Sequence, residues 1–212
     1  MRVLVVTAVP AERDAVTRAS GAVPGYQVIA AGVGPAAAAA GTARALAAGP
    51  YDLVVSAGIG GGFRSPPGSL LVADAIVAAD LGAETPAGFV PVTGLGFGTV
   101  EHRPPAGLVT AVAAATAATT GTVLTVSTVT GSAERAAALL AAHPAAVAEA
   151  MEGFGVAEAA AQAGVPVLEI RAVSNAVGPR DREAWRIGEA LAALTEAFGK
   201  LPPVLEGWTA HD

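Results

Sequence analysis

The chain has 212 residues, 53% of them hydrophobic and 14% charged, with a net charge of −6. That length and apolar content suit one folded unit with a sizeable core, spanning 1–212, and exclude a disordered chain. The acidic balance leaves no basic stripe for nucleic acid, and the absence of cysteine excludes disulfides, thiol nucleophiles and thiolate metal sites.

His102, His143 and His211 show no ligand spacing, so neither a metal nor a cofactor is expected. Charges appear by Glu12 and Asp14, too early for a signal peptide. The Ala-rich run after Val33 is broken by Pro35, Gly41 and Arg44, unlike a membrane span. A cytoplasmic protein with no membrane partner is the expectation.

Residues 2–7 form a β-branched apolar run, expected as a strand buried on both faces. Pro10 opens a short helix over 11–19 with Glu12 in its first turn. A strand over 26–31 leads through Gly32-Val33-Gly34-Pro35 into an Ala-rich helix over 35–47. A buried strand over 53–57 runs into the densest glycine stretch, Gly58 to Phe63, read as a loop. A strand is expected over 70–78, and Gly- and Pro-rich loops with at most one short strand over 79–105. Helices follow over 106–118 and 133–142, with strands over 122–127 and 147–150. The remaining elements are a helix over 154–163, a strand over 166–174, a long helix over 182–199 and a Pro-containing tail over 200–212. This alternation predicts an α/β fold, a central mixed sheet flanked by helices.

In such folds ligands sit at the carboxyl ends of strands. Four strand ends carry suggestive residues: Glu12, the glycine stretch, Met151-Glu152 and Asn175. The glycines fail as a Walker loop, because Phe63 and Arg64 stand where Lys and Ser or Thr are needed. They fail as a dinucleotide fingerprint because Pro66, Pro67 and Gly68 prevent a following helix. Two readings remain, a tight turn or a backbone that approaches a ligand closely. Glu12 is either a helix-dipole complement or a base that activates water. Glu152 is either a helix cap or an acceptor for sugar hydroxyls beside a Met that covers the ring. Asn175 either closes an Asx turn or pairs with a purine edge, since its amide both donates and accepts.

The ordered set resembles the purine nucleoside phosphorylase/nucleosidase superfamily. Within it the chain is similar to the methylthioadenosine/S-adenosylhomocysteine nucleosidase branch, and most to the futalosine hydrolase sub-family of the menaquinone pathway. The resemblance covers nearly the whole chain. It runs through Glu12, Gly32-Val33-Gly34-Pro35, the Ser56 to Gly62 segment, Ala150-Met151-Glu152, and the segment from Arg171 to Asn175.

The resemblance implies that Glu12 is the general base for a hydrolytic water. It implies that Met151 packs on the ribose and that Glu152 binds its hydroxyls. Gly58, Ile59 and Gly60 would lie against the substrate, the segment Thr128-Val129-Thr130 would offer backbone to the purine, and Arg171 would contribute to binding. Asn175 would address N7 and the six-position. Adenine-specific members carry Asp there; an Asn cannot titrate but suits a 6-oxopurine, so hypoxanthine is the expected leaving base. Ile59 replaces a polar residue that helps hold the water. The alternatives are hydrolysis of methylthioadenosine, S-adenosylhomocysteine or aminodeoxyfutalosine, a phosphate-dependent phosphorylase, and a non-catalytic nucleoside binder. A homo-oligomer, at least a dimer, is implied. Phe89, Phe97, His102 and Arg103 are candidates for the pocket of the 5′ substituent.

Overall fold

The computed structural model describes residues 1–20 and 23–208; His211 lies outside them. Val3–Thr7 (β1) is buried along its whole length and pairs in parallel with Tyr26–Ala30 (β2) and with Leu53–Gly62 (β3). Pro10–Ser20 (α1) and Pro35–Ala47 (α2) follow β1 and β2, each with proline at its start. Leu70–Ala78 (β4), Thr119–Thr125 (β8), Ala146–Ala150 (β9) and Val167–Ala176 (β10) complete the main sheet, with Glu101–His102 (β7) on the edge of β4. Parallel and antiparallel pairings both occur, so the sheet is mixed.

Helices cover both faces. On one side α1, Ala106–Thr116 (α3) and Ile187–Gly207 (α6) pack over Val5, Leu53, Val55 and Leu168. On the other, α2 and Gly153–Gln162 (α5) cover Leu4, Val54 and Val173. Ala133–Ala142 (α4) flanks a smaller apolar cluster. The small-residue composition is used here. A Cβ at Gly155 of α5 would stand 2.1 Å from the Pro35 carbonyl oxygen of α2, so the helices meet backbone to backbone.

Four features depart from the sequence expectation. The glycine stretch is the second half of β3, not a loop, and none of its glycines has a positive φ. Glycine serves there by lacking a Cβ, in extended backbone. Residues 79–105 carry more structure than expected: Gly82–Thr85 (β5) and Gly88–Pro91 (β6) form an antiparallel ribbon, followed by a 3-10 turn at Val92–Leu95. Strand β8 begins three residues early, because Thr119 and Thr120 pair with Leu71 and Val72.

Finally, the expected tail continues α6 as far as Gly207, through Pro202 and Pro203. A proline inside a helix costs about 3 kcal/mol. Leu201, Leu205 and Trp208 are all buried by that last stretch, and each large apolar side chain so buried contributes roughly 1.5–3 kcal/mol. The two prolines together cost about 6 kcal/mol, and this burial is large enough to offset that propensity cost.

One feature of the sheet positions the site. Strand β3 pairs with β10 along nearly its whole length. On its other side it pairs with β1 up to Ser56 and with β9 only from Gly61. Between these partners the strand is open, and the cavity described next lies against that opening.

Candidate active site

Glu12 reaches the open stretch of β3 from the first turn of α1. One carboxylate oxygen accepts from the Ala8 and Val9 backbone N–H groups at 2.9 and 3.2 Å. These are capping contacts, from the first turn of the helix back to its own start. The other oxygen accepts from the Ile59 N–H at 2.9 Å, a group that no strand partner claims. The side chain is 4% exposed. One residue thus closes its own helix and the gap in the sheet.

Glu152 stands at the N-cap of α5 but does not cap it. The Thr125 hydroxyl of β8 accepts from the Phe154 N–H at 2.8 Å instead. The Glu152 carboxylate is thereby free to accept from the Gly34 N–H at 3.1 Å and from Arg171 at 3.4 Å. The turn Gly32 to Pro35 is thus tied to the end of β9.

Arg171 organises the charges beneath. Its side chain is 1% exposed, and it donates to Glu169 at 2.8 Å and to the Ser56 hydroxyl at 3.0 Å. Burial works against its charge, but Glu169, Glu152 and Glu12 together hold its pKa above the ordinary value. Glu169 is wholly buried. That burial raises its carboxyl pKa, an effect Arg171 opposes and Glu152 reinforces. Gly58 makes the cluster possible: a Cβ there would lie 2.6 Å from both the Arg171 guanidinium and a Glu12 oxygen.

Above this layer is a cavity of about 360 Å³, in the range of small-molecule sites. Of the residues singled out from sequence, Glu12, Ile59, Gly60, Val129, Thr130, Met151, Glu152 and Asn175 line it. Three others do not. Gly58 and Arg171 lie under the floor, where they hold Glu12 and Glu152, and Thr128 is outside while Val129 and Thr130 line the wall.

Asn175 falls inside β10, not after it. Its amide oxygen accepts from the Ser174 hydroxyl at 2.8 Å, and its amino group donates to the Ala176 carbonyl at 2.9 Å. These bonds leave one N–H and one lone pair for a ligand.

The loop candidates for the 5′ pocket are elsewhere. Phe89 and Phe97 are exposed on and after the β5–β6 ribbon. His102 pairs with Glu158 at 2.9 Å and packs on Phe154, and Arg103 pairs with Glu101. The cavity instead takes Val177, Gly178, Pro179, Arg180 and Trp185 from the segment between β10 and α6. The Arg180 and Arg182 guanidinium carbons lie 5.5 and 5.8 Å from the Trp185 ring centre, within cation–π range. Sequence reasoning put residue 185 inside a helix; α6 starts only at Ile187.

Glu149 was also missed. It is buried, lines the cavity, and its two oxygens accept from the Thr130 N–H and hydroxyl. Its signal was present, because strand alternation puts residue 149 on the same side as Met151.

A family model described as the phosphorylase superfamily matches residues 8–204. A futalosine hydrolase of Streptomyces coelicolor is 66% identical, over the full length of both chains. One of Acidothermus cellulolyticus is 46% identical, covering 93% of this chain and 89% of its own. Among solved structures, a methylthioadenosine/S-adenosylhomocysteine nucleosidase of Colwellia psychrerythraea in complex with adenine superposes with a TM-score of 0.80. It is 22% identical and covers 98% of this chain and 95% of its own. The corresponding enzyme of Neisseria meningitidis, in complex with methylthio-immucillin-A, has a TM-score of 0.82 at 18% identity, covering 98% and 99%. The chain belongs to the phosphorylase superfamily and, within it, to the futalosine hydrolases.

Proposed function

We propose that the chain hydrolyses the N-ribosidic bond of futalosine, releasing hypoxanthine and dehypoxanthine futalosine, a step of menaquinone biosynthesis. The observation that carries this reading is one cavity holding Glu12, Met151-Glu152 and the non-titrating Asn175 together, in a chain 66% identical to a futalosine hydrolase. The whole of 1–212 is read as one nucleosidase domain.

In this mechanism Met151 covers a face of the ribose and Glu152 accepts from its hydroxyls. The bond between C1′ and the purine nitrogen lengthens to an oxocarbenium-like state. Glu12 takes a proton from water as the water oxygen bonds to C1′. The electron pair of the broken bond leaves with hypoxanthine. Asn175 donates to O6 and accepts from N7–H once solvent has supplied that proton. The buried Arg171 acts through Glu152 and Glu12, holding both carboxylates in place.

Water suits the cavity better than phosphate. Arg171 is buried under the floor, and Arg64 bonds to the Pro144 carbonyl instead of lining the cavity. The remaining lining cation, Arg180, sits with Trp185, and this pair suits the aromatic carboxylate at the 5′ end of futalosine. A homo-oligomer, at least a dimer, belongs to the same reading; the exposed Phe89, Leu95 and Phe97 offer an apolar edge for a second copy. Light scattering measures the mass in solution.

The deciding experiment is chromatography of reactions with futalosine, aminodeoxyfutalosine, methylthioadenosine and inosine, each with and without phosphate. Phosphate-independent release of hypoxanthine from futalosine is expected. Release that requires phosphate would make the protein a phosphorylase. No helix among the described residues is long and apolar enough to cross a membrane.

A further inference from the structure

Glu149 has no part in the chemistry at C1′, yet its carboxylate is kept in the wall of the cavity. Its place relative to Asn175 follows from strand register. Gly61 of β3 pairs with Asn175 of β10 on one side and with Glu149 of β9 on the other. Residues directly opposite one another project to the same face of a sheet, and two strand spacings separate their Cα atoms by about 10 Å. Both side chains line the cavity. Between them stands a glycine, whose Cβ would lie 2.8 Å from Val177 and 3.5 Å from the Asn175 amide. The result is a slot with a flat glycine floor, an amide on one side and a carboxylate on the other.

The two groups differ in what they accept as a ligand. Asn175 donates and accepts. Glu149 only accepts, and Thr130 takes one lone pair on each of its oxygens. Among the described residues no Lys or Arg pairs with it. A carboxylate so placed has a lone pair left on each oxygen for a further donor from the cavity. In a 6-oxopurine the N1–H stands next to O6 and supplies one. In a 6-aminopurine N1 carries a lone pair, which faces the carboxylate with repulsion.

We propose that Glu149, positioned by Thr130, accepts the N1–H of the leaving base and is the second determinant, with Asn175, of 6-oxopurine over 6-aminopurine. This rests on the nucleosidase reading of the cavity.

Glu149→Gln keeps an acceptor for the Thr130 N–H and turns a donor towards N1. Binding of hypoxanthine and adenine to the wild type and to this variant, measured by calorimetry, tests the proposal without any need for turnover. The hypoxanthine-to-adenine preference should fall by roughly 10–100-fold in the variant, the worth of one hydrogen bond to a charged group. An equal preference in both proteins would overturn the proposal.

Should the variant fail to fold, the wild type decides alone. It should bind 1-methylhypoxanthine, which lacks the N1–H, at least roughly 10-fold more weakly than hypoxanthine; equal binding would overturn the assignment. Hydrolysis of futalosine by the wild type is followed separately. Its absence would remove the functional reading and leave the base-binding result to decide on Glu149.

Discussion

At one end of the cavity Glu12 and Glu152 share a buried cation with Glu169; at the other, Glu149 has only the hydroxyl and amide of Thr130. The first end is compensated within the protein itself, its carboxylates held by a buried cation. The second keeps acceptor capacity facing the cavity, open to a ligand donor. The fold places both at strand ends, and the difference between them comes from a single residue. Arg171 enters from β10 where β3 has parted from β1 and reaches Glu152, just past the end of β9, but it makes no ion pair with Glu149.

That contrast can be broken at several points. The largest effect is expected from Glu12→Gln, which keeps the shape but loses the proton acceptor. Turnover of futalosine should fall by about 10²–10⁴-fold with KM little changed, read by steady-state kinetics. Full retained activity would remove Glu12 from the role of base.

Arg171→Met should collapse the compensated end. It leaves Glu169 and Glu152 buried without their cation, and removing one partner of a buried pair costs about 3–5 kcal/mol. Denaturant unfolding measures this directly. A loss under about 1 kcal/mol would mean that the carboxylates are not held by Arg171.

At the uncompensated end, Asn175→Asp offers an acid in place of the amide. It should move the futalosine-to-aminodeoxyfutalosine ratio of kcat/KM towards the 6-amino substrate by roughly 10-fold, the loss of one or two hydrogen bonds. An unchanged ratio would leave the base unread by residue 175. Trp185→Ala probes the mouth between these ends. It should raise KM for futalosine by about 10-fold, as expected for a lost aromatic contact, and leave inhibition by free hypoxanthine unchanged. If both move together, Trp185 contacts the base and not the 5′ tail.

The smallest effect tests the same rule of buried polar groups away from the cavity. The Tyr26 hydroxyl is buried without a partner in the described structure, and burial, with Glu206 nearby, pushes its pKa up to about 12 from 10.0. The fold therefore favours the neutral phenol. Its contribution is intact below pH 10 and is lost as pH rises towards 12. Tyr26→Phe should flatten the fall in stability across that window, followed by denaturant midpoints at each pH. An unaltered slope would assign the alkaline loss to other groups.

Much of this was open to reading in the sequence because the governing signals are local. The β-branched run of β1 and the prolines that open α1 and α2 place those elements within a residue or two. The order of Glu12, Met151-Glu152 and Asn175 along the chain was enough to nominate the cavity. Other features depend on partners distant in sequence. The glycines of β3 read as a loop because their composition is that of a turn; pairing with β10 makes them strand. The prolines at 202 and 203 read as a helix stop, and burial of Leu201 and Leu205 carries the helix through them.

The same division runs through the site. Sequence by itself determined the alternation of strands and helices, the lack of any thiol or basic stripe, and which residue types stand at the strand ends. Tertiary structure decided which of them meet. Thr125 relieves Glu152 of capping, Gly58 leaves room for Arg171 and Glu12 on one side of the strand, and Gly61 sets Glu149 across from Asn175. These relations join residues 26 to more than 100 positions apart, through register and close approach, and no periodicity within one segment encodes them.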